Sequence, residues 1–83
     1  MTKRDKRIKR FRENDKNVRF EEIDGLLIYL GFTRTTRGSH NTYRSEKIPF
    51  DLTIPYRKPF LLPIYVKQIL AILDEYFEEE LDS

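Results

Sequence analysis

After Gly31 the apolar residues of this chain stop recurring at helical spacing and begin to alternate, and that change of period fixes where helices give way to a sheet. Upstream, Phe20, Ile23, Leu26, Leu27 and Leu30 repeat at three- and four-residue intervals. Glu21 and Glu22 suit the positive end of that helix dipole, and Gly31 supplies a left-handed stop. Downstream, 32–36 is rich in β-formers, Arg37-Gly38 reads as a tight turn and 39–44 as a second strand. Phe50, Leu52 and Ile54 alternate with Asp51 and Thr53 in a third strand. The helical period returns at Pro63, a residue suited to the first position of a helix, with Val66, Ile69, Leu70, Leu73 and Phe77 along one stripe. An earlier helix is expected over 3–13, where Ile8 and Phe11 stand one turn apart among charges, ending near Asn14-Asp15. The pattern predicts an α+β fold of order α-α-β-β-β-α, with helices on one face of a three-stranded antiparallel sheet and the other face open.

Within that frame, Gly25 costs its helix about 1 kcal/mol against alanine, so a close approach of another element is expected there. Pro49, Pro55 and Pro59 confine the third strand and the loop after it. Tyr65, Ile72 and Tyr76 form a second stripe on the last helix. It is wider than packing on one sheet demands, and it suits the N-terminal helix or, failing that, a partner protein.

At 83 residues the chain predicts one domain, 1–83, divided into a basic helix or arm at 1–16, a globular core at 17–77 and an acidic tail at 78–83. There is no cysteine, and one histidine leaves a zinc centre with too few ligands, so neither disulfides nor a metal cofactor is expected. The apolar stretches 26–30 and 60–66 fall short of the roughly 20 residues that cross a bilayer, and no export signal opens the sequence. A soluble, cytoplasmic protein with no membrane partner is expected. The net charge of +2 conceals a polarity: residues 1–19 carry nine Lys or Arg against three acids, and residues 74–83 carry six acids and no base. A basic arm suits a polyanion such as nucleic acid, or else is a solvated helix face. The acidic end suits a basic partner or a return onto the arm, or simply frays.

His40 is the single histidine, in the run Arg37-Gly38-Ser39-His40-Asn41-Thr42-Tyr43-Arg44. An imidazole titrates near ~6.5 in model peptides, so this residue type can both accept and donate a proton near neutrality. Strand alternation sets Asn41 and Tyr43 on one face and His40, Thr42 and Arg44 on the other. A histidine displayed among cations on an open sheet suits RNA, which carries its own nucleophile in the 2′-hydroxyl.

The stretches Asn17-Val18-Arg19-Phe20-Glu21-Glu22-Ile23, Leu30-Gly31-Phe32, Thr36-Arg37-Gly38-Ser39-His40-Asn41-Thr42-Tyr43-Arg44, Leu52-Thr53-Ile54-Pro55 and Tyr65-Val66-Lys67-Gln68-Ile69-Leu70 resemble HicA, the toxin family of HicA–HicB type II toxin–antitoxin modules. The likeness covers about residues 17–73, and the charged leader resembles that of the longer members. It implies an mRNA interferase with a double-stranded-RNA-binding-domain-like fold and one catalytic histidine on the second strand, the position His40 occupies. It also implies arrest of growth by transcript degradation, and partners in mRNA and a HicB-like antitoxin, the toxin being monomeric alone and hetero-oligomeric with HicB. Many relatives carry another histidine after the third strand's Ile-Pro. This chain has Tyr56-Arg57-Lys58 there, which leaves a second acid or base unassigned and puts cations in its place.

On this reading His40 is the general base or acid and Arg37, Arg44, Arg57 and Lys58 are phosphate clamps. Gly38 and Ser39 bring backbone against RNA. Each arginine is equally at home as a solvated strand or loop cation. Two other functions suit the same residues: an RNA-binding module without chemistry, favoured by the absent second histidine, and a protein-interaction partner, favoured by the acidic tail and the second stripe of the last helix.

Overall fold

In the computed structural model, which describes residues 3–77, the chain runs α1 (Lys3–Glu13), α2 (Phe20–Tyr29), β1 (Thr33–Arg37), β2 (His40–Arg44), β3 (Leu52–Pro55) and α3 (Pro63–Tyr76). The sheet is antiparallel in the order β1-β2-β3, and the architecture is α+β with the helices on one face. The expected order and the expected open face are both present. The acidic tail at 78–83 lies outside the described residues. Among the described residues no helix is long and apolar enough to cross a membrane.

Packing follows the period. The sheet offers the core Tyr43, Leu52 and Ile54, and the helices cover them with Ile23, Leu26 and Leu27 from α2 and Val66, Ile69 and Leu73 from α3, all buried. Burying each such side chain stabilises the fold by about 1.5–3 kcal/mol. Ile8 and Phe11 of α1 join the same cluster, Phe11 with no exposure at all, and α1 packs against α3. Arg10 pairs with Glu22 of α2, and Arg12 Nη1 donates to Asp74 of α3 at 3.0 Å. Exposed ion pairs are worth about 0–1 kcal/mol each, so the two apolar residues hold α1 down and the arginines orient it. The basic arm is thus a third helix of the layer, with part of its charge answered by the fold's own acids.

α2 ends as its sequence asks. Leu30 caps it, Gly31 takes φ 95°, and the Phe32 and Gly31 amides donate to the carbonyls of Leu27 and Ile28. This is a Schellman stop, with Phe32 buried beyond it. β1 therefore begins at Thr33, one residue later than the pattern suggested.

Three local expectations are corrected. The turn between β1 and β2 is Gly38-Ser39 rather than Arg37-Gly38. Gly38 has φ 60°, and among the described residues only Gly31 shares a positive φ, the sign pattern of a type II′ hairpin turn with glycine first. Nothing crowds Gly25: a Cβ there would meet only the Arg7 guanidinium at 3.8 Å, an ordinary contact. Phe50 lies outside β3, is 43% exposed, and sets its ring edge-on to Tyr76. β1 is exposed at all five positions.

Candidate active site

Directly paired residues of an antiparallel sheet project to the same face, so the register builds the open face row by row. Arg37, His40 and Pro55 form one row, Thr35, Thr42 and Thr53 the next, and Thr33 with Arg44 the third. His40 and Arg37 are both exposed, and neither side chain makes a hydrogen bond or ion pair among the described residues. The imidazole therefore stands in solvent at the turn end of β2, with a guanidinium as its cross-strand neighbour.

The turn and the segment after β3 meet at this end. The Tyr56 amide donates to the Ser39 carbonyl at 2.7 Å, extending the β2–β3 ladder one residue past Pro55. That bond brings the Tyr56-Arg57-Lys58 segment beside Gly38-Ser39. Tyr56 turns to the helix side, its ring edge-on to Phe20 at 5.1 Å, and Lys58 Nζ stands 5.9 Å over it. Arg57 is partly occupied in shaping its own loop, where its Nη1 donates to the Phe60 carbonyl at 3.3 Å. The Leu61 amide, donating to the Val18 carbonyl at 2.8 Å, anchors that loop to the entry of α2.

Arg44 does not belong to this cluster. Four residues along a strand separate it from His40 by ~13 Å, and its Nε lies 3.2 Å from Asp51, which answers its charge. It borders instead a groove of about 730 Å³, lined also by Leu30, Gly31, Thr33, Phe50 and Asp51, at the opposite end of the sheet. The groove and the histidine are separate features. A site built on the exposed face suits an extended polymer better than a small molecule, which needs enclosure.

Behind His40 the fold is held by a residue that sequence reading placed on the inward face without giving it a role. Asn41 is the single buried polar side chain among the described residues. Its Oδ1 accepts from the Thr36 hydroxyl at 2.8 Å, and its Nδ2 points to the carbonyls of Ile54 at 3.4 Å and Ser39 at 3.5 Å. One amide thus ties β1, β3 and the turn together immediately next to the imidazole. A buried amide without partners costs several kcal/mol, so these bonds are required for Asn41 to sit where it does. The signal was a polar residue at an inward position of an alternating strand.

The other inward row is anchored to α2. Asp24 Oδ1 accepts from the Tyr43 hydroxyl at 2.7 Å and from Arg34 Nη1 at 2.7 Å. Burial first, and then the bond to Asp24, raises the Tyr43 phenol well above its ordinary value, while the Asp24 partner raises Arg34. This cluster is structural: it fixes the sheet to α2 on the side away from His40.

Among the described residues no group of three or more His, Cys, Asp or Glu is placed to hold a metal ion. No family model matches the chain, and no curated protein or solved structure matches it.

Proposed function

We propose that this chain is a HicA-type mRNA interferase, a cytoplasmic endoribonuclease toxin that cleaves transcripts without a metal ion and is neutralised by a HicB-like antitoxin. One observation carries the reading: the His40 imidazole is exposed on the uncovered sheet face, unengaged, directly across from the unengaged guanidinium of Arg37. The resemblance to HicA implies a catalytic histidine at that position.

The chemistry needs little more. The His40 imidazole takes the proton of a ribose 2′-hydroxyl, and the 2′-oxygen attacks the adjacent phosphorus. The bond from phosphorus to the 5′-oxygen breaks, and the imidazolium returns the proton to that departing oxygen. The products are a 2′,3′-cyclic phosphate and a 5′-hydroxyl. Such proton transfer contributes about 10²–10⁴ to the rate, and a cation at the developing phosphorane charge adds to it. Arg37 is best placed for that role, and Arg57 and Lys58 lie on the neighbouring segment. Arg44, already paired with Asp51, is reserved for more distant phosphates.

Incubation of the protein with RNA in EDTA tests the proposal. The expected result is cleavage with cyclic phosphate ends, lost in His40→Ala while the melting temperature stays within a degree or two. Equal cleavage by the alanine variant overturns the assignment. A second reading draws on Tyr56-Arg57-Lys58, where no second histidine stands: RNA binding without chemistry. Salt-sensitive binding that yields no product at neutral pH selects it.

A further inference from the structure

The middle row of the open face consists of threonines. Thr35 of β1 pairs with Thr42 of β2, and Thr42 with Thr53 of β3. The Thr42 and Thr53 hydroxyl oxygens are 3.4 Å apart. Two residues of strand place this row ~7 Å from His40. High β-propensity explains a threonine in any of these strands, but not the absence of charge from the row. Charged residues make up 36% of the chain, and an exposed antiparallel face is where opposite charges ordinarily pair across strands.

Aromatic rings are missing too. Among the described residues, none that β1, β2 and β3 direct to this face is Phe, Tyr or Trp: Tyr43 is buried on the other side. Sheets that read single-stranded RNA by its bases do so by stacking them on such rings. This face offers hydroxyls, which both donate and accept, with Arg37 beside them at one end. Those groups match 2′-hydroxyls and phosphate oxygens.

We infer that the Thr35–Thr42–Thr53 row positions the substrate of the His40 site, and that it reads the ribose–phosphate backbone of RNA and not its bases. The inference rests on the endoribonuclease reading, and it makes cleavage tolerant of base sequence. Its three hydroxyls lead the polymer across the strands, so that successive riboses pass the imidazole.

Binding is measured in a His40→Ala background, where RNA stays intact, by titrating labelled mixed-sequence RNA, its DNA counterpart, oligo(A) and oligo(U) at low salt. Replacing all three threonines by valine preserves shape and strand propensity while removing the hydroxyls. Loss of two or three hydrogen bonds is expected to weaken RNA binding about tenfold or more. The corresponding triple serine variant restores it, and the valine variant loses less affinity for DNA, which lacks the 2′-hydroxyls, than for RNA. Oligo(A) and oligo(U) are expected to bind within a fewfold of each other. In the His40 protein the valine variant raises KM for RNA and leaves kcat intact. Unchanged RNA affinity of the valine variant, valine loss that serine does not restore, or strong preference for one oligonucleotide overturns the inference. Hydroxyl-dependent binding without any cleavage by the parent removes the nuclease reading and keeps the row. Cleavage untouched by valine removes the row and keeps the nuclease. No RNA binding by the parent removes both.

Discussion

The Tyr43 hydroxyl lies 2.7 Å from Oδ1 of Asp24, joining the central strand to α2 through the same oxygen that receives Arg34. Its proton is withheld from solvent chiefly by burial, with the bond to Asp24 second, so the phenol titrates well above the ordinary value of 10.0. Below that value the folded and unfolded chains hold the proton equally. Above it the unfolded chain releases a proton that the fold keeps, and stability falls as pH rises. Urea midpoints between about pH 8 and pH 11 are expected to drop more steeply for the parent than for Tyr43→Phe. Parallel curves overturn the assignment.

The two bonds to Asp24 are unequal in worth. The phenol is buried, whereas the Arg34 side chain is 42% exposed. Asp24→Ala leaves a buried hydroxyl without its acceptor and is expected to cost about 1–3 kcal/mol. Arg34→Ala gives up a solvated ion pair and is expected to cost less than about 1 kcal/mol. Chemical denaturation of the two variants gives the comparison, and an equal loss contradicts it.

Apolar burial, not charge, docks the basic helix. Phe11→Ala is expected to destabilise by about 3–5 kcal/mol, since the site is sealed on every side. Arg12→Ala removes only the exposed bond to Asp74 and is expected to cost less than about 1 kcal/mol. Raising the salt concentration tests the same point, because screening acts on the arginine and leaves the phenylalanine unaffected.

Arg37 and Arg44 should separate in RNA binding. Arg37→Ala is expected to lower affinity and reduce the slope of log K against log salt by about one, as for a lost phosphate contact. Arg44→Ala is expected to do less, because Asp51 already answers its charge. Asp51→Asn releases that arginine and is expected to tighten binding. Identical salt slopes for Arg37→Ala and the parent show that Arg37 touches no phosphate.

Periodicity made most of the fold legible, since α2 and α3 each bury one clean stripe and the central strands alternate. It failed where packing is not repetitive. β1 reads Thr33-Arg34-Thr35-Thr36-Arg37, without alternation, because its inward residues face Asp24 and Asn41 instead of an apolar layer. The alternation of Phe50 with Leu52 ran past the end of β3, where the chain turns Phe50 toward Tyr76. The helix cost of Gly25 alone suggests a close approach, yet only the Arg7 side chain comes near, at an ordinary contact distance. For the site, strand parity put His40 outward and Asn41 inward, and the register then set Arg37 beside the imidazole. The pairing of Arg44 with Asp51 depends on how the β2–β3 loop returns, which no local pattern encodes. Nor did residue spacing disclose the threonine row, which exists only once three strands are aligned.

β1 also forms a border of the sheet, and among the described residues no strand pairs with its outer side. Such a margin invites another strand to add, and molecules crowded during synthesis could zip together along it. Charge on a border strand disfavours such addition, and of the two arginines of β1 it is Arg37 that carries a charge unanswered among the described residues, Arg34 being paired with Asp24. Replacing Arg37 by threonine is therefore expected to raise the tendency of copies to join along that margin, read as concentration-dependent light scattering.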